Sequence, residues 1–113
     1  MADEQLSIIL VTTPSQDVAQ QLAQEVVKER LAACVNIVSG VRSIYAWEGK
    51  IERTDEVLLI IKTQSARYAE LEEFIRAHHP YETPEIVEIP VGRVTPQYWQ
   101  WIVKETTGTA DSH

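Results

Sequence analysis

The segment His78-His79-Pro80-Tyr81-Glu82-Thr83-Pro84-Glu85 holds the densest run of chemically capable side chains in the chain. Adjacent imidazoles followed by carboxylates supply the nitrogen and oxygen donors that a divalent ion takes. On a helix, neighbouring side chains diverge by about 100°, so both histidines reach one ion only if the helix unwinds before Pro80. A structural reading competes with this one, because histidines in a last helical turn interact favourably with the helix dipole. Metal ligation by His78 and His79 is therefore an expectation with a stated geometric condition.

Other candidates are weaker. Cys34 is the only cysteine; it reads as a small buried thiol rather than a reactive thiolate or metal ligand, and it excludes an internal disulfide. Glu52, Asp55 and Glu56 form an acidic cluster that reads as a solvated face, or as a cation holder if it lies at a subunit boundary. Trp47-Glu48-Gly49 reads as packing plus turn chemistry. No GxSxG elbow, P-loop, HExxH or glycine-rich dinucleotide loop occurs, and no spacing singles out a catalytic triad. The expectation is a protein that is not an enzyme.

The elements that must position these residues follow from periodicity. Leu6 to Thr13 is apolar on both alternations and β-branched, which reads as a strand buried on both faces. After Pro14, Ser15 is placed to cap a helix carrying Val18, Leu22, Ala23, Val26 and Val27, with Leu31 closing the stripe. Ala33 to Trp47 is an extended arm with Val35, Ile37, Val41, Tyr45 and Trp47 in one register, and its polar alternate marks it as an edge strand. Glu48-Gly49 makes a tight turn, and the return arm from Lys50 ends in Val57-Leu58-Leu59-Ile60-Ile61, which reads as central. Ser65 is placed to cap a second helix that Pro80 ends. Glu85 to Val91 is an edge strand containing Pro90, and Thr95-Pro96 opens a short last helix. The order β-α-β-β-α-β plus a terminal helix is the α+β, ferredoxin-like split βαβ arrangement. Residues 1–105 form its one domain, and residues 106–113 a disordered polar tail.

Composition narrows the partners. At 113 residues with 44% hydrophobic side chains the chain has enough for one core. Its net charge of −7 argues against nucleic-acid binding, which needs clustered positive charge. No apolar run approaches the roughly 20 residues of a membrane span. The acidic start Met1-Ala2-Asp3-Glu4-Gln5 is unlike a signal peptide, so a cytoplasmic location is expected.

The hairpin gives the sharpest geometric expectation. An arm of about 14 residues spans about 45 Å, whereas a helix of about 16 residues spans about 24 Å. Ile44, Tyr45, Trp47 and Ile51 would then project beyond the helices and require a partner. The alternative is a bulge or bend that folds the hairpin back on its own sheet. Pairing with copies in a closed ring removes such edges, which points to a cyclic homo-oligomer.

With these segments in view, the chain resembles the CutA family of divalent-cation-tolerance proteins. The resemblance rests on Thr12-Thr13-Pro14, Glu29-Arg30-Leu31-Ala32-Ala33-Cys34-Val35-Asn36-Ile37 and Ser43-Ile44-Tyr45-Ala46-Trp47-Glu48-Gly49-Lys50. It continues through Glu56, Leu59-Ile60-Ile61-Lys62-Thr63, His79-Pro80-Tyr81-Glu82-Thr83-Pro84-Glu85-Ile86 and Tyr98-Trp99-Gln100-Trp101-Ile102. It implies a homotrimer similar in architecture to the PII signalling proteins and a link to copper tolerance, with no cofactor required and Cu2+ or another divalent metal as the ligand. Some members are described as binding copper through a first-strand cysteine and paired histidines. Here the histidines match as His78 and His79, but the first-strand position is Val11. The missing thiolate leaves a nitrogen-donor site, which favours Cu(II) or Zn(II) over Cu(I). The PII-like architecture implies a second reading, a signalling or scaffold trimer that takes a small ligand or protein in clefts between subunits, lined by Trp47, Glu56, Lys62 and Tyr81.

Overall fold

The computed structural model describes residues 5–108. In chain order it contains β1 (Leu6–Thr13), α1 (Gln16–Lys28), β2 (Cys34–Trp47), β3 (Lys50–Gln64), α2 (Tyr68–His78), β4 (Ile86–Pro90) and α3 (Pro96–Glu105). The strands form one antiparallel sheet in the order β2-β3-β1-β4. Doubly apolar β1 and β3 are central and the half-polar β2 and proline-ended β4 are edges, as the alternation patterns require. The ferredoxin-like α+β arrangement is therefore the observed one.

Register explains where the core lies. Ile9, Val11, Leu59 and Ile61 point to one face and are fully buried against Ala19, Leu22 and Val26 of α1 and Leu71 and Ile75 of α2. On the opposite face, α3 covers only one end, where Ile102 packs on Leu6 and Ala33. The remainder of that face carries Ile8, Leu10, Leu58 and Ile60, half-buried, with Val38, Val87 and Ile89 exposed. The sheet is apolar on both faces, and its helices cover little more than one.

Local chemistry departs from expectation at several ends. Helix α1 stops at Lys28, and Arg30 takes a left-handed φ of 60° that turns the chain so that Leu31 is buried beyond the helix. Arg30 then donates from Nη1 to the carbonyls of Lys104 and Glu105, 3.3 Å each, satisfying the C-terminal end of α3. Ser65 does not cap α2: residues Ser65–Arg67 form a 3-10 turn, and the Ser65 hydroxyl bonds the Gln5 carbonyl and Ser7 Oγ instead. Thr106, placed at the start of the polar tail, is fully buried and accepts from Gln64 Nε2 at 2.8 Å. Residues 109–113 lie outside the described residues.

The hairpin arms have 14 and 15 residues, and the molecule reaches 44 Å in its longest dimension. A bulge does interrupt the ladder, between Val38 and Val41. One extra residue there reverses the alternation of β2. Beyond the bulge Arg42, Ile44 and Ala46 therefore continue the face of Val35 and Ile37, and Val41, Tyr45 and Trp47 occupy the other. The single register read from sequence for these residues is thus corrected. The bulge does not fold the hairpin back, because Ile44, Trp47 and Ile51 remain 63%, 57% and 64% exposed.

At the hairpin tip both turn residues have positive φ, Glu48 at 51° and Gly49 at 80°. This is the type I′ pattern, which costs a glutamate more than an asparagine. Glu48→Asn is expected to stabilise the chain by about 0.5–1 kcal/mol, read as a higher urea midpoint with unchanged m-value.

Candidate functional site

Proline ends α2 as its steric clash with the preceding residue demands, and His79 leaves the helix with extended backbone, ψ 139°. The two imidazoles then part. His78 is exposed, stacks on Phe74 with ring centroids 4.0 Å apart, and places Nδ1 2.8 Å from the Phe74 carbonyl oxygen. A carbonyl only accepts, so Nδ1 carries a proton, and in the neutral ring Nε2 presents its lone pair. Metal-binding imidazoles are commonly held in this way, one nitrogen donating to a carbonyl while the other faces the ion. The ring borders a groove of about 710 Å³ that Glu29, Arg67, Glu70 and Glu73 also line.

His79 is buried, 7% exposed, under the end of β1. Its Nε2 lies 2.8 Å from the Thr12 carbonyl oxygen, and its Nδ1 accepts the Tyr81 backbone N–H at 3.1 Å. Both ring nitrogens are engaged within the chain. The Tyr81 ring packs against the imidazole at 4.8 Å and sends its hydroxyl to Glu56 Oε2 at 2.9 Å. Ser43 Oγ donates to the other carboxylate oxygen, Oε1, at 2.6 Å. A chain of hydrogen bonds thus joins β1, the loop after α2 and both arms of the hairpin.

Glu56 is 9% exposed, and its carboxylate has hydroxyl donors but no ion pair among the described residues. It lines a cleft of about 490 Å³ at the bulge, with Pro14, Gln16, Gly40, Arg42 and Asp55 around it. Arg42 and Asp55 pair at 3.2 Å, both largely exposed, so that contact contributes little. Burial, followed by the hydrogen bond to Glu56, pushes the Tyr81 phenol up to about 12. Tyr68 is pushed up to about 12 by burial and by its bond to Glu72.

Of the residues read from sequence as lining one cleft, only Glu56 and Tyr81 meet in the chain. Trp47 is at the hairpin tip and Lys62 is paired with Cys34 near the other end of β3. Each is about 20 Å from Glu56 along the strand, in opposite directions. Ser43 and the Thr12 carbonyl, which complete the network, were not legible as site residues. Pairing back from the Glu48-Gly49 turn would have placed Ser43 diagonal to Glu56, the one available signal. Cys34 is half-buried, opposite Lys62, with Tyr98 raised by burial and by the adjoining thiol. Among the described residues, no three His, Cys, Asp or Glu side chains converge as a metal site. Val11 is fully buried in the core.

The pattern of the family described as CutA1 divalent ion tolerance protein matches residues 7–105. The chain belongs to the CutA1 family. The divalent-cation tolerance protein CutA of Thermus thermophilus is 45% identical over 89% of this chain and 97% of its own length. Mouse Protein CutA is also 45% identical, over 95% of this chain, which spans about 60% of the mouse protein's length. Among solved structures, CutA1 of Oryza sativa superposes with a TM-score of 0.91 at 36% identity, covering 96% of this chain and all of that one. The Thermus thermophilus CutA1 structure gives a TM-score of 0.87 at 42% identity, covering 89% and 98%. The names of these CutA1 relatives refer to divalent-cation tolerance and not to a reaction. Compartments differ among relatives: an Arabidopsis thaliana CutA is named chloroplastic and an Archaeoglobus fulgidus CutA structure is described as periplasmic. Among the described residues of this chain, no helix is long and apolar enough to cross a membrane.

Proposed function

We propose that this CutA1 protein works as a cytoplasmic homotrimer that binds divalent copper, or another divalent metal, in cation tolerance, without catalysing a reaction. The observation that carries the assembly is the uncovered apolar surface: the sheet face of Ile8, Leu10, Leu58 and Ile60, continued by Val87 and Ile89, and the exposed hairpin tip. Copies of the chain are the partners that bury it. A closed ring also occupies the edges of β2 and β4. Metal binding is supported by the free Nε2 lone pair of His78 beside the carboxylates of the 710 Å³ groove. Each chain supplies one such nitrogen, and further donors come from other copies or from solvent. The lone cysteine, with no disulfide to form, is compatible with a reducing compartment.

Native mass spectrometry with added copper reports subunit number and bound metal together. The expected result is a trimer that takes up copper. His78→Ala should weaken Cu(II) binding at least tenfold, about 1.4 kcal/mol, in a calorimetric titration. Unchanged affinity in that variant would remove His78 from the site, and a monomer at micromolar concentration would remove the assembly.

A second reading has one specific observation behind it, the buried Glu56 carboxylate, which forms no ion pair among the described residues. In an assembled trimer that carboxylate suits a small cationic ligand between subunits. Thermal-shift measurements with metals and with organic amines separate the readings: stabilisation by amines alone supports the second.

A further inference from the structure

The two histidines that look equivalent in sequence have opposite hydrogen-bonding states, and the difference assigns them different work. Thr12 O can only accept, so His79 Nε2 must carry the ring proton; the Tyr81 N–H can only donate, so Nδ1 must hold a lone pair. The tautomer is fixed by its neighbours rather than chosen. A metal ion would reach Nδ1 only by displacing the Tyr81 amide, or Nε2 only by removing the proton given to Thr12. The first step strips a part-buried N–H of its acceptor and the second strips a buried carbonyl of its donor. The ring is 7% exposed, whereas the neighbouring His78 is on the surface.

We infer that His79 is a positioning residue and not a metal donor: it is the strut that sets Tyr81 against Glu56 and so holds the Glu56 carboxylate in place. The connection is continuous. The imidazole holds the backbone of Tyr81 through Nδ1 and lies against its ring, and the phenol sends its hydroxyl to Glu56. Ser43 completes the pair of donors that hold the carboxylate in place. The metal-binding role of the histidine pair falls on His78 alone, and in that respect the inference rests on the metal reading above. The strut itself does not.

The decisive measurement is a long-range proton–nitrogen NMR spectrum of the histidine rings in the intact protein, with zinc(II) as a diamagnetic probe. His79 is expected as the Nε2–H tautomer with and without zinc, while the His78 ring shifts on titration. In His79→Ala, zinc affinity should stay within about twofold of wild type, and amide exchange at Tyr81 should accelerate at least tenfold. The unfolding midpoint of His79→Ala combined with Tyr81→Phe should fall no further than that of the more damaging single change, because both break one network. A residue that merely fills space would give additive losses. The inference is overturned if zinc shifts the His79 ring, if His79→Ala weakens zinc binding tenfold, or if the two substitutions add. Should the wild-type protein bind neither zinc nor copper, the metal reading fails, while the tautomer, exchange and additivity still decide the strut. If His79→Ala does not fold, the wild-type spectrum decides by itself: an Nε2–H ring supports the strut, and an Nδ1–H ring overturns it.

Discussion

Replacing both Ile44 and Ile51 with lysine is expected to convert the proposed trimer into folded monomers. These side chains lie on one face of the hairpin tip, on neighbouring arms, and are 63% and 64% exposed in the single chain. They make few contacts there, so the substitution costs the isolated fold little. In a trimer each isoleucine removed from water contributes about 1.5–3 kcal/mol, and every subunit carries two of them. The lysines add the cost of desolvating an ammonium group at the same place. Light scattering should report a fall from three chain masses to one, 12.8 kDa, with the circular dichroism of the sheet retained. An unchanged mass would mean that the tip is not at the interface.

Tyr81→Phe is expected to destabilise the chain by about 2 kcal/mol, because a bond to a charged group is lost and a buried carboxylate oxygen is left without its donor. Glu56 would keep only Ser43. The same bond gives a pH signature. The phenol is held up at about 12, above its ordinary 10.0, by burial and then by the hydrogen bond to Glu56. A group whose folded pKa is raised contributes its stability in full below the unfolded value and loses it as the pH rises through the folded one. Wild type should therefore lose stability between about pH 10 and 12, with Tyr68, also raised to about 12, contributing in the same window. In Tyr81→Phe this loss should be smaller. Urea midpoints measured from about pH 8 to 12 test it, and parallel curves for the two proteins would show that the Tyr81 bond is not formed.

The balance between sequence and structure is clearest at particular residues. Element type and order follow from local pattern: β1 and β3 declare themselves by apolar residues at both alternations, Pro80 and Pro96 mark helix boundaries, and Gly49 marks the tight turn. Burial on one or both faces also follows, since it is written in the period of the side chains. These are near-neighbour effects, and a single chain of letters contains near neighbours. The histidines show the opposite case. His78 and His79 are adjacent in sequence, and only the carbonyls of Phe74 and Thr12, one a helical turn away and the other on a different strand, decide which nitrogen each ring can offer.

By itself the sequence determined that this chain makes a split βαβ sheet with a hairpin too long for its helices, because lengths and periods are local quantities. Its motifs also carried the family resemblance. Tertiary structure alone decided that a one-residue bulge at Ser39-Gly40 turns Tyr45 and Trp47 to the face opposite Val35. It alone gathered Ser43, Glu56, Tyr81 and His79 into one network, and separated the two imidazoles into an exposed ring and a buried one. The reason is physical: a ladder's register and a hydrogen bond's partner depend on strands brought together across dozens of residues, and no spacing along the chain encodes that distance.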